Sequence, residues 1–577
     1  MLKRTIYAAL NLLICFGVYY FTLPAINVHS MGFWLFLITI IAIWTVTGFI
    51  YFWIFSKTKT QKSAQLIIIT IIALPIIAAL PFYIALATLT IASFIIIIKF
   101  SREITSVYQK NILYSLSFIF TLLTIAAVLS SPVLNSQKYR NVADISNKGT
   151  LSDAFPPIAS VNELDILTMQ SSSRVGDRIL GQMAQKYISQ FEVNNEYNLI
   201  YLNNTSLRVT PLEYGSFFKY LNNKKDGIPA YLSVNVTNQT SSLQELGNKP
   251  IKYAPSAYFN DNLIRHLRFR HPTLIFGKPQ FELDDDGYPY YIVPTKTSNA
   301  GMFGAMAVSG AVLCNATTGD TQYVDINSVP KWVDHVYSVY DINEMSQWHY
   351  NYVHGYFNFG KQDMRNTSFS YDDNQYSTIA KDNDIFMITG ITSVGGDESN
   401  VGFIMANLRT GEISYYDDPG AEESSAQGSA QGLVQQFGYR AVPPKLVNID
   451  GISTYYMPLY DSQGIFRKYA FVNKANFTKA TEADSLQEAF DKYRKLILPE
   501  IPKQVLTKQG IVSEVYSAAV DGNTYFYFSL NGDNNFYVSS IVNNPKQVRL
   551  KAGSSVKIEY EQGTADSITV KKIDLLN

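Results

Sequence analysis

Two acidic segments contain the side chains most capable of chemistry. Asp397 and Glu398 follow a Gly-Gly pair between two strand-like runs. Glu422 and Glu423 open a helix rich in Ala and Gln. Two carboxylates can act as general acid and base, as in glycoside hydrolysis, but acids at a helix start are also explained by the helix dipole. We therefore predict no catalytic residue and keep the four acids as candidate binding residues, with metal binding at these loops left open.

Two tyrosine pairs are the second candidate site. Tyr290 and Tyr291 closely follow an Asp-Gly turn, and so do Tyr455 and Tyr456. Adjacent residues of a strand point to opposite faces of its sheet. An exposed edge strand can accept an extended peptide by main-chain pairing, without any catalytic residue. We predict that these strands capture a peptide.

A basic cluster is the third candidate. A helix over residues 256–269 places Arg265 and Arg268 one turn apart, with His266 and His271 nearby. Such a cluster could hold an anion or a carboxylate. A solvated helix face that pairs with acids elsewhere is the favoured alternative.

Motifs for other chemistry are absent from the sequence. It has no Gly-x-Ser-x-Gly elbow, phosphate-binding loop, His-Glu-x-x-His motif or dinucleotide fingerprint. Asp284 to Asp286 resemble part of a calcium loop, but Thr295 stands where the loop needs a glutamate. Two cysteines are too few for a disulfide framework or a cysteine zinc site. We expect no cofactor and no metal, and enzymatic activity is left uncertain, with a non-enzyme favoured.

Composition narrows the class of protein. A chain of 577 residues must fold as several domains. Apolar residues make up 47% and charged residues 16%, with a net charge of zero. Without a basic field there is no electrostatic basis for nucleic-acid binding. We expect no nucleic-acid partner.

The N-terminal residues 1–133 contain most of the unusual hydrophobicity. A bilayer span takes about 20 apolar residues. The third run has Pro75 and Pro81 near its middle and predicts two short helices joined by a turn, although one long helix is the alternative. Five spans are therefore predicted. The apolar runs are 5–23, 32–55, 64–99 and 111–129.

Basic residues orient these predicted spans. Lysines and arginines precede the first run, follow the second run and separate the third from the fourth, whereas the loop 24–32 has none. The positive-inside rule then places the N-terminus in the cytoplasm. The predicted localisation is a multi-pass protein of the cytoplasmic (inner) membrane with a large extracytoplasmic C-terminal region.

The predicted extracytoplasmic region contains an internal sequence repeat. Asn315, Gly319 and Tyr323 have the same spacing as an Asn-Gly-Tyr set that begins at Asn407, and each set predicts a hairpin followed by a helix. Two or three tandem sheet-plus-helix modules are predicted. The last segment has five alternating runs and predicts a small closed β-barrel of the OB or SH3 type, suited to packing or homo-oligomerisation. The predicted boundaries are a linker 134–155, an α+β module 156–270, modules 271–380 and 381–500, and the barrel 503–577.

A resemblance supports this organisation. The hairpins at 312–323 and 404–415, each with a Thr-Gly turn, resemble the PepSY type of small extracytoplasmic module. The resemblance implies peptidase inhibition or regulation in the cell envelope. The chain also resembles a group of bacterial multi-span membrane proteins of unassigned activity. The stretches that carry this second resemblance are 253–259, 329–333, 395–400 and 420–423.

The predicted fold class combines these parts. It is a membrane protein with an N-terminal α-helical bundle of five spans, an α+β extracytoplasmic region of tandem modules, and a C-terminal β-barrel. The predicted function is a membrane-anchored envelope protein whose outside region binds a protein or peptide partner without catalysis. The alternatives are an envelope hydrolase that uses the acidic loops and a carrier that moves an apolar ligand through the five-span bundle.

Overall fold

The computed structural model divides the chain into two compact units, residues 1–493 and 494–577. A few isolated residues between 87 and 95, residues 160 and 161, and Tyr187 are also described. The continuous described ranges are 2–55, 107–158, 189–237, 240–369, 376–394, 399–498, 505–520, 523–542, 544–561 and 568–576.

The first part of unit 1 is helical. Phe120, Leu123 and Ala127 pack against Phe303, which belongs to a turn of the β region. Ser130 reinforces this contact, because its hydroxyl accepts hydrogen bonds from the backbone N–H groups of residues 302 and 303. The elements are α1 (Leu2–Thr22), α2 (Met31–Phe55), α3 (Val107–Leu129), α4 (Pro132–Arg140), β1 (Ile145–Thr150) and α5 (Leu151–Ala154).

The predicted five-span bundle is wrong. Among the residues that the structure describes, no single helix is both long and apolar enough to cross a membrane. The apolar helical stretches Ala9–Thr22 and Met31–Ile41 are shorter than the roughly 20 residues that a span requires. One pair, Ser117–Leu129 with Pro132–Arg140, meets the requirement only together and is bent by 47°.

Three further predictions depended on the five-span bundle. The fold class is wrong in assigning a membrane protein, and so is the multi-pass localisation in a cytoplasmic membrane. The cell-envelope and extracytoplasmic assignments depended on the same predicted spans and lose that support. Apolar composition by itself predicts burial, whereas a bilayer span needs one helix that combines sufficient length with sufficient apolar character. Most of the run 64–99 lies outside the described residues.

Four β-modules follow, and they share one strand connectivity. In each module the third strand is central: the first and second strands pair with it on one side, the fourth strand pairs with it on the other, and the fifth strand pairs with the fourth. Two such modules carry the repeat found in the sequence. The other two lack the Thr-Gly turn, so the sequence pattern does not reveal them.

The module elements have the following bounds. Module 1 contains β2 (Phe191–Val193), β3 (Asn198–Leu202), β4 (Thr205–Tyr214), α6 (Phe217–Asn223), β5 (Ala230–Asn235) and β6 (Ser241–Glu245). Module 2 contains α7 (Leu263–Arg270), β7 (Ile275–Phe276), β8 (Gln280–Leu283), β9 (Pro289–Ala300), β10 (Gly304–Asn315) and β11 (Thr321–Asp325). Module 3 contains α8 (Val339–Asn351), β12 (Arg365–Thr367), β13 (Ser377–Lys381), β14 (Asp384–Ser393), β15 (Ser399–Asn407) and β16 (Ile413–Ala421). Module 4 contains α9 (Glu423–Leu433), β17 (Arg440–Ala441), β18 (Lys445–Ile449), β19 (Ile452–Tyr460), β20 (Phe466–Asn473), β21 (Ala480–Ala483) and α10 (Leu486–Ile497).

An asparagine ends the fourth strand of every module: Asn235, Asn315, Asn407 and Asn473. Each backbone N–H donates to a carbonyl that immediately precedes the fifth strand, at 2.8–3.0 Å. Each side-chain Oδ1 accepts from one or two backbone N–H groups of the intervening turn. The asparagine therefore closes the turn from both sides, as short polar side chains do in Asx turns.

The residue after the asparagine joins the hairpin to the segment before the module's helix. Leu408 O accepts from the N–H groups of Val336 and Tyr337, and Ala316 O accepts from Tyr253 in the same way. The modules pack against one another through apolar cores. Modules 1, 2 and 3 share one core, and modules 3 and 4 share another. Strand β1 extends module 3 by pairing in parallel with β16.

The C-terminal unit is a closed β-barrel in the order β22-β23-β24-β26-β25. Each of the five alternating runs in the sequence is a strand. Its core is built around Phe528, Tyr537 and Val556, all buried. The strands are β22 (Val505–Val520), β23 (Asn523–Leu530), β24 (Phe536–Ser540), β25 (Ser555–Glu561) and β26 (Ile568–Leu576).

Alanine substitutions at two turn glycines should lower the free energy of unfolding by different amounts. Gly411 has φ +77°, and a Cβ there would lie 2.4 Å from Cζ of Tyr337. Gly451 has φ +85°, with no atom within 4 Å of such a Cβ. Gly451→Ala should lower the free energy of unfolding by about 1–2 kcal/mol through backbone strain alone. Gly411→Ala should cost about 1–3 kcal/mol more because of the clash.

Urea titration followed by tryptophan fluorescence measures this difference. All five tryptophans precede residue 349, so the signal follows unit 1. Equal losses in the two variants would contradict the packing of Tyr337 on the turn.

Candidate functional site

The two tyrosine pairs lie on central strands. Tyr290 and Tyr291 belong to β9, and Tyr455 and Tyr456 belong to β19, each of which is paired on both sides. Tyr291, Tyr455 and Tyr456 are buried, and Tyr290 packs against Trp332 with ring centroids 5.0 Å apart. These strands are therefore not edge strands: their main-chain groups already form ladder hydrogen bonds and are not available for the main-chain pairing that the peptide-capture prediction requires. Alternating hydrophobicity predicted the strands but not their position in the sheets.

The acidic candidates divide into two groups. Asp397 and Glu398 lie outside the described residues. Glu422 is the N-cap residue of α9, and Glu423 follows it with its side chain buried. Oε1 of Glu423 accepts from the N–H of Gly390 at 2.8 Å, and Oε2 accepts from the amide of Asn400 at 3.2 Å.

Tyr455 joins this buried cluster, so two sequence candidates do meet. Asn400 Nδ2 donates to the Tyr455 hydroxyl, which donates in turn to Ala421 O, each at 3.2 Å. Burial first, and then the charge of Glu423, raises the pKa of Tyr455 well above its usual value. The adjacent cavity holds about 10 Å³, enough for about one water. The cluster is therefore a structural network rather than a substrate site.

A buried ion pair lies next to it. Nζ of Lys474, fully buried, is 2.7 Å from Oδ2 of Asp418 and also donates to its backbone carbonyl at 2.6 Å. The hydroxyl of Ser453 donates to the same carboxylate at 2.6 Å. These bonds satisfy the charges and tie β16 of module 3 to the β20–β21 turn of module 4. Removing one partner of such a pair is strongly destabilising.

The two arginines of α7 bind backbone carbonyls. Arg265 donates to Phe259 O at 2.7 Å, and its guanidinium lies 4.3 Å from the ring centre of Tyr20. Arg268, which is buried, donates to Leu23 O at 3.0 Å and to Leu274 O at 2.6 Å. Their visible role is to attach the end of α1 to module 2. The predicted anion site is not formed by these contacts.

A cleft lies at the junction of modules 1, 2 and 3. It has a volume of about 150 Å³. Its buried floor consists of Tyr197, Leu199, Arg208, His335, Ser338, Thr378 and Leu408. Its more exposed walls consist of Glu196, Asn198, Lys278, Gln280, Val339, Tyr340 and Tyr376.

Arg208 is held firmly at the floor. It lies on β4 between Leu199 of β3 and Val234 of β5, so its backbone is fixed on both sides. Its Nη1 donates to Tyr197 O at 3.4 Å, and its Nη2 donates to the Thr378 hydroxyl at 2.9 Å. The side chain is 2% exposed. A charged group this deeply buried lines the cleft in one orientation.

Glu282 orients the histidine of the floor. Glu282 is fully buried, and its Oε1 accepts from the backbone N–H of His335 at 2.7 Å and lies 2.8 Å from Nδ1 of the same residue. Oε2 of Glu282 accepts from the N–H of Asp334 at 2.9 Å. Burial, and secondarily the charge of Glu282, raises the pKa of Asp334 to about 9. The folded protein therefore disfavours the charged form of Asp334.

Tyr376 is one of the residues that line the cleft wall. Burial, followed by the proximity of Tyr340, raises the pKa of Tyr376 to about 12. The Tyr376 hydroxyl therefore stays protonated and can donate a hydrogen bond. The sequence does contain a signal for this site: an arginine stands between Leu207 and Val209 in β4. That signal alone does not reveal its partner Thr378, which is 170 positions away along the chain.

Comparisons with known proteins do not assign this chain to a family. No protein-family model matches the chain, and no curated protein matches it significantly. A crystal structure of a levansucrase mutant from B. subtilis aligns with 73% of this chain and 98% of its own, at 8% sequence identity and a TM-score of 0.16. A score this low carries no argument about fold or function.

The buried acid predicts a pH effect on stability. The folded-state pKa of Asp334 is about 9, against an ordinary value of 3.8, so between these values the unfolded chain loses a proton that the folded protein keeps. The free energy of unfolding should therefore fall as the pH rises through this window. Asp334→Asn keeps the acceptor for Tyr201 N–H and removes this loss. The variant should match the wild type near pH 4 and exceed it at pH 8.

Asp461→Asn is the opposite control. A hydrogen bond from Ile465 N–H lowers the pKa of Asp461, so this variant should be less stable than the wild type at pH 7. Urea titrations at several pH values measure both differences. A parallel pH dependence of the wild type and Asp334→Asn would contradict the neutral state of Asp334.

Proposed function

We propose that this chain is a non-catalytic binding protein for a peptide or protein partner, and that the cleft at the junction of modules 1 to 3 receives part of that partner. The observation that supports the proposal is the cleft itself, with a buried guanidinium at its floor and two tyrosines at its walls. Partly buried aromatic residues beside fixed polar groups are typical of recognition sites.

The size of the cleft favours a small part of a larger partner. Clefts that enclose drug-sized ligands have volumes of about 300–1,000 Å³. The cleft here has about 150 Å³, which suits one side chain or one chain terminus. The rest of a peptide would then lie outside, across the walls around Tyr340 and Tyr376.

The arrangement of the floor argues against acyl transfer. The hydroxyl of Ser338 donates to Oδ2 of Asp341 at 2.6 Å, as part of the N-terminal capping box of α8. It is therefore committed to a structural bond rather than to His335. A nucleophile needs a base within hydrogen-bond reach. The hydrolase alternative loses support further because Glu423 is buried in a structural network.

The modular organisation supports a binding role. Four modules with one strand connectivity provide the rigid frame on which a site between modules can be held. We propose that they are PepSY-like, on the support of the Thr-Gly hairpins in modules 2 and 3. Envelope regulation is not part of this proposal.

A peptide-retention experiment tests the proposal. Immobilised full-length protein is incubated with a random hexapeptide library, and the retained and unretained peptides are identified by mass spectrometry. The wild type should retain intact peptides. Tyr340→Ala should weaken retention about fivefold, because an aromatic contact contributes about 1 kcal/mol.

Tyr323→Ala is the matched control, since Tyr323 is a comparably exposed tyrosine on β11, outside the cleft. Its retention should equal that of the wild type. Cleaved peptides would favour the hydrolase instead, and equal retention by both variants would show that the cleft is not the site.

A further inference from the structure

The fold holds a lysine and an aspartate against each other between modules 3 and 4. Lys474 directly follows β20, and Asp418 lies in β16. The backbone N–H of Lys474 donates to Ser453 O at 3.0 Å, and its carbonyl accepts from the N–H of Ala421 at 2.8 Å. The backbone of the lysine is therefore bonded to both modules, and its side chain meets Asp418 in a fixed setting.

The amine nitrogen of Lys474 lies close to the carbon atom that it could attack. Nζ is 2.7 Å from Oδ2 of Asp418. Because Oδ2 is bonded to Cγ at about 1.2 Å, Nζ is at most about 4 Å from Cγ. Groups held in a productive orientation about 3–3.5 Å apart can react as though each were present at about 10⁵–10⁸ M. Only a small movement separates this ion pair from such an arrangement.

The surroundings of the pair exclude water. The side chain of Lys474 is fully buried, and that of Asp418 is 10% exposed. Nζ lies 5.7 Å from the ring centre of Phe403 and 5.9 Å from that of Tyr455. Water promotes the hydrolysis of an amide, whereas a site that expels water favours the reverse reaction, in which water is released. Burial of two charges is also costly, and their conversion to a neutral amide removes both.

We propose that Lys474 and Asp418 condense to an amide that joins modules 3 and 4 covalently. Nζ forms a bond to Cγ, the bond between Cγ and Oδ1 breaks, and Oδ1 leaves as water with two protons of the ammonium group. One ammonium and one carboxylate thus become one neutral amide and one water, so atoms and charge balance without a further reactant. The Ser453 hydroxyl, which donates to Oδ2 at 2.6 Å, then serves as donor to the amide oxygen.

The amide is a cross-link between positions 56 apart in the chain. Like a disulfide, it limits the conformations of the unfolded chain and thereby stabilises the folded one. The two cysteines of the chain, Cys15 and Cys314, are both free. The amide therefore supplies a covalent link that the cysteines do not.

Mass spectrometry of the full-length protein tests the proposal. The denatured protein should be lighter than its sequence by the mass of one water, and a trypsin digest shows where the water was lost. Peptide 410–440 should be recovered joined to peptide 469–479, because trypsin cannot cleave after a lysine whose amine has become an amide. Recovery of 410–440 as a free peptide, together with cleavage after Lys474, would overturn the proposal.

Lys468 is the internal control for burial. Its Nζ is also 2.7 Å from a carboxylate oxygen, Oδ1 of Asp484, but that carboxylate is 80% exposed. Trypsin should therefore cleave after Lys468 as it does after any free lysine. A link at Lys468 as well would contradict the proposal that the water-excluding site drives the condensation.

Two variants of Asp418 test the chemistry. Asp418→Asn can undergo the same substitution with ammonia as the leaving group, so its linked form should have the same mass as the linked wild type. Asp418→Ala cannot form the bond and should keep the mass of its sequence. Loss of a water from Asp418→Ala would place the reaction elsewhere and overturn the proposal. The digest of the wild type decides the matter even where a variant does not fold.

Discussion

An asparagine at the end of each fourth strand closes the turn on which every β-module depends. Its N–H and its side-chain oxygen together bind both ends of that turn. In modules 2, 3 and 4 the next residue then offers its carbonyl to the segment before the helix, as Leu408 does for Val336 and Tyr337. The turn therefore fixes where these helices start relative to their sheets.

The cleft is a consequence of this packing. Leu408 lies in its floor, and the segment that Leu408 binds continues directly to Ser338 and Tyr340. Arg208 comes from module 1, and its partner Thr378 comes from module 3. The binding groups are therefore correctly placed only when three modules share one core. This dependence explains why the groups of the cleft are widely separated in sequence.

Short-range features were predictable from the sequence, and long-range ones were not. The hairpins around Gly319 and Gly411 were predicted, because a glycine with positive φ between two apolar runs specifies a turn locally. The tyrosine pairs were assigned to strands correctly but to edges wrongly, since the number of neighbours of a strand is set by tertiary contacts. Apolar composition predicted five spans, but no single described helix is both long and apolar enough to cross a membrane. Arg208 and Thr378 meet through packing that no local pattern encodes.

The central proposal is that the cleft between modules 1, 2 and 3 receives part of a bound peptide. A crystal structure of the full-length protein with a retained peptide tests it most directly. We expect one side chain or one terminus of the peptide to lie in the cleft, with the chain leaving between Tyr340 and Tyr376. A peptide bound elsewhere, such as along β11, with the cleft empty, would contradict the account.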